Sequence, residues 1–114
     1  LDFPSDIELD AVARKIYWVE SVGGRVMRSD LDGQNSETLV QGLTSPQGIA
    51  ILPQHNQLFF SNNVDSIIRT DLDGGNPTTV ISGQYSIHDV AVFIPEPASM
   101  ALLAVGALVV LRRR

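Results

Sequence analysis

Arg28-Ser29-Asp30-Leu31-Asp32-Gly33 returns forty-one residues later as Arg69-Thr70-Asp71-Leu72-Asp73-Gly74, with one hydroxyl residue exchanged for another as the only change. The recurrence extends in both directions. Upstream, Lys15-Ile16-Tyr17-Trp18-Val19-Glu20 falls on Gln57-Leu58-Phe59-Phe60-Ser61-Asn62, and Pro4-Ser5-Asp6-Ile7-Glu8-Leu9 on Pro46-Gln47-Gly48-Ile49-Ala50-Ile51. Downstream, Thr38-Leu39-Val40 meets Thr79-Val80-Ile81, and a third copy opens at Ile87-His88-Asp89-Val90-Ala91-Val92. A period of this length marks a fold built of stacked supersecondary units.

Within each unit the β-branched and aromatic residues gather into short runs separated by turn formers. The runs predict strands at Ile7–Leu9, Ile16–Val19, Val26–Ser29 and Thr38–Val40, then at Gly48–Ile51, Leu58–Ser61, Ile67–Thr70 and Thr78–Ile81. Turns are expected at Asp32-Gly33, Gly74-Gly75 and Pro53-Gln54-His55-Asn56. Four strands per repeat of about 40 residues is the arithmetic of a propeller blade. The reading is therefore all-β, with about two blades and one further strand in residues 1–94.

Tyr17-Trp18-Val19-Glu20 resembles the Tyr-Trp-Thr-Asp motif of the low-density-lipoprotein-receptor class B (YWTD) repeats, and Arg28 to Gly33 resembles the Arg-x-x-Leu-Asp-Gly that accompanies it. The second copy keeps Arg69, Asp73 and Gly74 but carries Phe59-Phe60-Ser61-Asn62 in the aromatic position. The resemblance implies blades of a six-bladed extracellular propeller, so that further blades are expected upstream. Departures at Val19, Glu20, Ser61 and Asn62 put that family's ligand binding in doubt while leaving the fold reading intact.

Several residues invite a chemical reading. Alternating carboxylates before glycine, as in Asp30-Leu31-Asp32-Gly33 and Asp71-Leu72-Asp73-Gly74, could hold a hard cation. Neither copy supplies the full spacing of a calcium loop, and Asp-Gly is a strong turn signal because glycine accepts positive φ. The adjacent rings of Tyr17-Trp18 and Phe59-Phe60 alternate across a strand, so each pair is expected to serve two packing layers rather than a sugar. Arg28 and Arg69 recur, with Glu20 and Asn62 ending the preceding strand, and pairing across strands is the expected role. His55 lies in a turn, and His88 beside Asp89 has no nucleophile near it in sequence. No catalytic residue, cofactor site or metal site is assigned.

The last twenty residues form a separate unit of three parts. Pro95-Glu96-Pro97 interrupts any helix, Ala98 to Leu111 carries no charge, and Arg112, Arg113 and Arg114 close the chain. Fourteen residues of helix reach about 21 Å, short of the roughly 30 Å of a hydrocarbon core. Clustered arginines stay on the cytoplasmic side, which would leave the rest of the chain outside. A transmembrane helix over residues 98–111 is the expectation, held briefly or kept as an anchor. In all three parts the tail resembles the PEP-CTERM sorting signal of bacterial exported proteins. That resemblance implies export by a cleaved leader and recognition of Pro95-Glu96-Pro97 by an exosortase, a membrane cysteine transpeptidase.

Charge divides with the two units. Residues 1–94 hold twelve acidic against five basic side chains, a net of −7, while the tail nets +2. An acidic body has no surface for phosphates, which argues against nucleic acid. The absence of cysteine excludes disulfides and thiolate chemistry and suits a Gram-negative envelope. With Leu1 in place of Met and no leader pattern, the chain is expected to be the C-terminal part of a longer protein. The functional expectation is an exported, cell-surface-directed or matrix-directed propeller piece that binds or scaffolds. Its expected partners are the exosortase, membrane lipid and an extracellular protein or polysaccharide. The alternative is the end of a propeller lyase or hydrolase whose active site lies in upstream blades.

Overall fold

The structure, a computed structural model, describes residues 4–63, 65–83, 87–93 and 108–113. Two four-stranded antiparallel meanders account for most of them. The first runs β1 (Pro4–Asp10), β2 (Lys15–Glu20), β3 (Arg25–Asp30) and β4 (Glu37–Val40). The second runs β5 (Ile49–Leu52), β6 (Gln57–Asn62), β7 (Ser66–Thr70) and β8 (Thr78–Ile81). A third sheet pairs β9 (Ile87–Phe93) with β10 (Leu108–Arg113). The sole helical feature among the described residues is a 3-10 turn at Pro53–His55, closed by Asn56 in the left-handed region. Each strand read from the repeat is present, most of them longer by a residue or more at the ends.

The register explains why the repeat is read twice. Ile7 stands opposite Trp18 in the first sheet and Ile49 opposite Phe60 in the second, so equivalent residues make equivalent cross-strand pairs. Because neighbouring side chains alternate in direction, Tyr17 and Trp18 leave their sheet on opposite faces, as do Phe59 and Phe60. Tyr17, Val19 and Val26 of the first sheet share one buried core with Ile49, Leu58 and Phe60 of the second. On the far face of the second sheet Phe59, Ala50, Leu52 and Ile67 pack with Val90 of β9. Burying a side chain of this size contributes roughly 1.5–3 kcal/mol, so the layer between the sheets is the main source of cohesion.

Polar contacts lock the two blades in one orientation. Asp6 Oδ2 accepts from the Ile49 N–H at 3.0 Å, joining β1 to β5, and the Ser5 hydroxyl donates to the Pro46 carbonyl at 3.1 Å, joining β1 to the loop that leads into β5. Arg28 donates to the Leu72 carbonyl at 3.2 Å, joining the outer parts. The Asp71–Gly74 turn is pressed against β4: Gly74 has φ +89° and a Cβ built there would lie 2.4 Å from the Leu39 carbonyl oxygen. Gly33 occupies the same place in the first blade, with φ +85°, and would meet nothing within 4 Å.

The tail departs from expectation. Leu108 to Leu111, expected as the end of a transmembrane helix, are strand residues hydrogen-bonded to β9. Residues 98–107 of that expected helix, and the sorting triplet 95–97, lie outside the described residues. Val109 and Val110 are β-branched, and a strand edge left without a neighbour gives them backbone partners. No helix among the described residues is long and apolar enough to cross a membrane.

The contrast between the two turn glycines yields a test. Gly33→Ala should lose about 1–2 kcal/mol from left-handed strain alone, and Gly74→Ala should lose more because the added methyl also drives the turn away from β4. Urea unfolding of the two variants measures the difference, and equal losses would mean that the turn does not dock on β4.

Candidate functional site

An apolar groove lies on the outer face of the first blade. It encloses about 690 Å³ and is lined by Pro4, Asp6, Ile7, Ile16, Trp18 and Gly33 among others. Its floor is apolar because these positions correspond, one repeat apart, to those of the second blade that face the first. Ile7 is 62% exposed here, whereas its counterpart Ile49 is fully buried between the sheets. The groove therefore presents the same positions that the second blade buries against the first.

Glu20 anchors one end of this face. Its carboxylate is almost completely buried, accepts from Trp18 Nε1 at 3.1 Å and from Arg25 Nε at 2.9 Å, and sits 2.7 Å from Arg25 Nη2. The expected cross-strand pairing is thus made, but with Arg25, which stands opposite Glu20 in the register, and not with Arg28. Arg28 stands opposite Tyr17, with its guanidinium carbon 5.9 Å from the ring centroid, and pairs with Glu37 at 2.8 Å. Burial works against the Arg28 charge, but its contacts with Tyr17 and Glu37 outweigh that and leave its pKa raised. Asn62, the counterpart of Glu20, accepts from the Thr44 N–H at 2.9 Å and so pins the link between the blades.

The Asp-Leu-Asp-Gly segments are turns with a fixed internal wiring. In the first, Gly33 N–H donates to the Asp30 carbonyl and the Asp30 carboxylate accepts from Asn35 Nδ2 at 2.8 Å. In the second, Gly74 N–H donates to the Asp71 carbonyl and Asn76 Nδ2 donates to the Asp71 carboxylate at 2.7 Å. Asp32 and Asp73 turn back to accept the N–H two residues on. Asn35 and Asn76, both at positive φ, belong to the motif and escaped the sequence reading, although their spacing from Asp30 and Asp71 repeats. Among the described residues no cluster of three or more metal-ligating side chains occurs. His55 is exposed in its turn, and the side chains of His88 and Asp89 lie outside the described residues.

The repeat and tail now have known counterparts. Residues 14–53 match the low-density lipoprotein receptor repeat class B. Residues 93–114 match the PEP-CTERM protein-sorting motif. The fold is similar to a chain in the crystal structure of a nidogen/laminin complex, at 28% identity and a TM-score of 0.69, over 76% of this chain and 35% of that one. It is also similar to a Kuenenia stuttgartiensis hydrazine synthase chain, at 18% identity and a TM-score of 0.65, over 80% of this chain and 26% of that one. The second likeness concerns the fold alone. This chain spans about a third or less of the length of either. A class B repeat in the first blade and a sorting motif at residues 93–114 are therefore what this chain is matched to, and the second blade repeats the first in strand order and register.

The ion pair between Lys15 Nζ and Asp30 Oδ1, 2.6 Å apart, gives a pH test. Hydrogen bonds from Lys15 and then Asn35 hold the Asp30 pKa below its ordinary value. The folded carboxylate thus takes up a proton less readily than the unfolded one. Its contribution is complete above the ordinary aspartate pKa of about 3.9 and is lost as the pH falls below that value. Asp30→Asn should flatten the acid limb of a stability-versus-pH curve without altering its slope near neutrality, and an unchanged acid limb would show the pair to be without effect.

Proposed function

We propose that the chain is the C-terminal part of an exported β-propeller that binds or scaffolds at the cell surface, ending in a signal by which a membrane transpeptidase sorts it. The observation that carries this reading is the order of the two matched segments, a class B repeat at 14–53 followed by a sorting motif at 93–114. In it, residues 1–94 are the propeller unit and 95–114 the sorting unit. Pro95-Glu96-Pro97 is the triplet the exosortase recognises, Ala98 to Leu111 enters the membrane as a helix, and Arg112 to Arg114 remain on the cytoplasmic side. A bilayer core offers no backbone partners, which favours a helix there even though Leu108 to Leu111 are strand in the folded chain.

The open face of the first blade supports the view that more blades precede it. Trp18, Ile16 and Ile7 repeat Phe60, Leu58 and Ile49, and those three are buried against a neighbouring blade. We assign the same role to their counterparts, with an upstream blade as the cover. The likeness to a chain taken from a nidogen/laminin complex favours an extracellular protein as ligand over a small substrate. No catalytic role is assigned to residues 1–94.

Two variants in the native host test the sorting role. Deleting Arg112 to Arg114 should release protein past the membrane, because a short apolar stretch alone is a poor stop. Replacing Pro95-Glu96-Pro97 by alanines should leave insertion intact and abolish processing. Mass spectrometry of the mature protein reads both, and a mature chain retaining residues 98–114 with the sorting enzyme present would make the tail a permanent anchor.

A further inference from the structure

β9 occupies in the third repeat the place that β1 and β5 hold in the first two, as the innermost strand of a blade. In the complete blades the free side of that strand is taken by the second strand, which carries the aromatic motif. Ile7 faces Trp18 and Ile49 faces Phe60, and in the third sheet Val90 faces Leu111. The equivalence holds along the whole strand. Leu9 faces Ile16, Ile51 faces Leu58 and Val92 faces Val109. Even the irregularity of the first blade returns: the register slips between Pro4 and Asp6 opposite Val19 and Glu20, and again between Ile87 and Asp89 opposite Arg112 and Arg113.

From this copying of register we infer that the edge of β9 is a strand-accepting site whose occupant in water is the chain's own apolar tail, Leu108 to Arg113, and that docking there and insertion in a membrane are mutually exclusive. This rests on the sorting reading of the tail. The exclusion follows from backbone hydrogen bonding. As a strand, β10 is bonded only to β9 among the described residues, so its other edge keeps free N–H and C=O groups that water can satisfy and hydrocarbon cannot. As a helix the same residues satisfy their backbone internally and enter lipid, but they then release β9. Pairing in water also gives the edge of β9 and the β-branched segment Val109-Val110 a partner within the chain, where each left alone invites aggregation. The tail is thereby stored as the second strand of an unfinished blade until a bilayer draws it out.

The sequence contains no cysteine, so a single introduced pair reports the docking. Val92→Cys with Val109→Cys places the two thiols on directly facing residues, within the Cα separation a disulfide bridges. In detergent-free buffer the full-length double variant should cross-link on mild oxidation. A control pairing Val92→Cys with Arg112→Cys, out of register, should not. Vesicles of phosphatidylcholine and phosphatidylglycerol should lower the yield about tenfold, the change that a differential stabilisation of about 1.4 kcal/mol produces. Hydrogen exchange of the unaltered chain gives the same reading if the variant fails to fold, with the amides of β9 protected in buffer and exposed once vesicles are added, while those of β5 to β8 hold.

Free exchange of β9 in buffer, or equal cross-linking of the in-register and control pairs, overturns the docked state. Vesicle-bound protein with β9 still protected overturns the exclusion and leaves the sorting reading standing. Failure to bind vesicles at all overturns both.

Discussion

The layer between the two sheets is the constraint on which the rest depends. Neither four-stranded meander can bury its own apolar face, and each becomes stable by lending that face to the next. Tyr17 and Val19 point forward into the layer, Ile49, Leu58 and Phe60 point backward into it, and the contacts of Asp6 and Arg28 fix the angle at which the sheets meet. The tight approach of Gly74 to Leu39 and the hold of Asn62 on Thr44 follow from that angle. Once one junction is described, both ends of the chain can be interpreted, because each residue there has a partner-bearing counterpart one repeat away.

That periodic logic explains why so much was legible beforehand. The Arg-x-x-Leu-Asp-Gly recurrence located the third strand and its turn in both blades, and the aromatic pairs announced two packing layers by their adjacency. Both readings depend on short-range geometry, strand alternation and the tolerance of glycine for positive φ, which sequence expresses directly. The partner of Glu20 was less legible. Arg25 and Arg28 lie on the same strand, three residues apart, and only the pairing register decides which of them stands opposite Glu20. Asn35 and Asn76 were missed for a different reason, since an asparagine at positive φ carries meaning only after its hydrogen bond to the turn aspartate is seen.

The tail marks the boundary of such reasoning. The uncharged run from Ala98 to Leu111 suits the proposed entry into lipid, and the β-branched Val109 and Val110 suit the strand they form beside β9. Under the proposed exclusion, the environment chooses between the two. A segment of this kind has no single structure to be read from its sequence, and the folded body is part of what decides. On this account the propeller unit and the sorting unit are coupled through β9, where the third repeat begins and the sorting signal takes over the place of its second strand.

A double-mutant cycle between the blades tests the central claim most directly. Tyr17→Ala and Phe60→Ala remove rings contributed to one core by different sheets, and residues that share a core couple by about 0.5–3 kcal/mol. The account predicts that the two losses in unfolding free energy interact within that range. Strictly additive losses would mean that the two repeats do not pack face to face, and the packing derived from the repeat would be wrong.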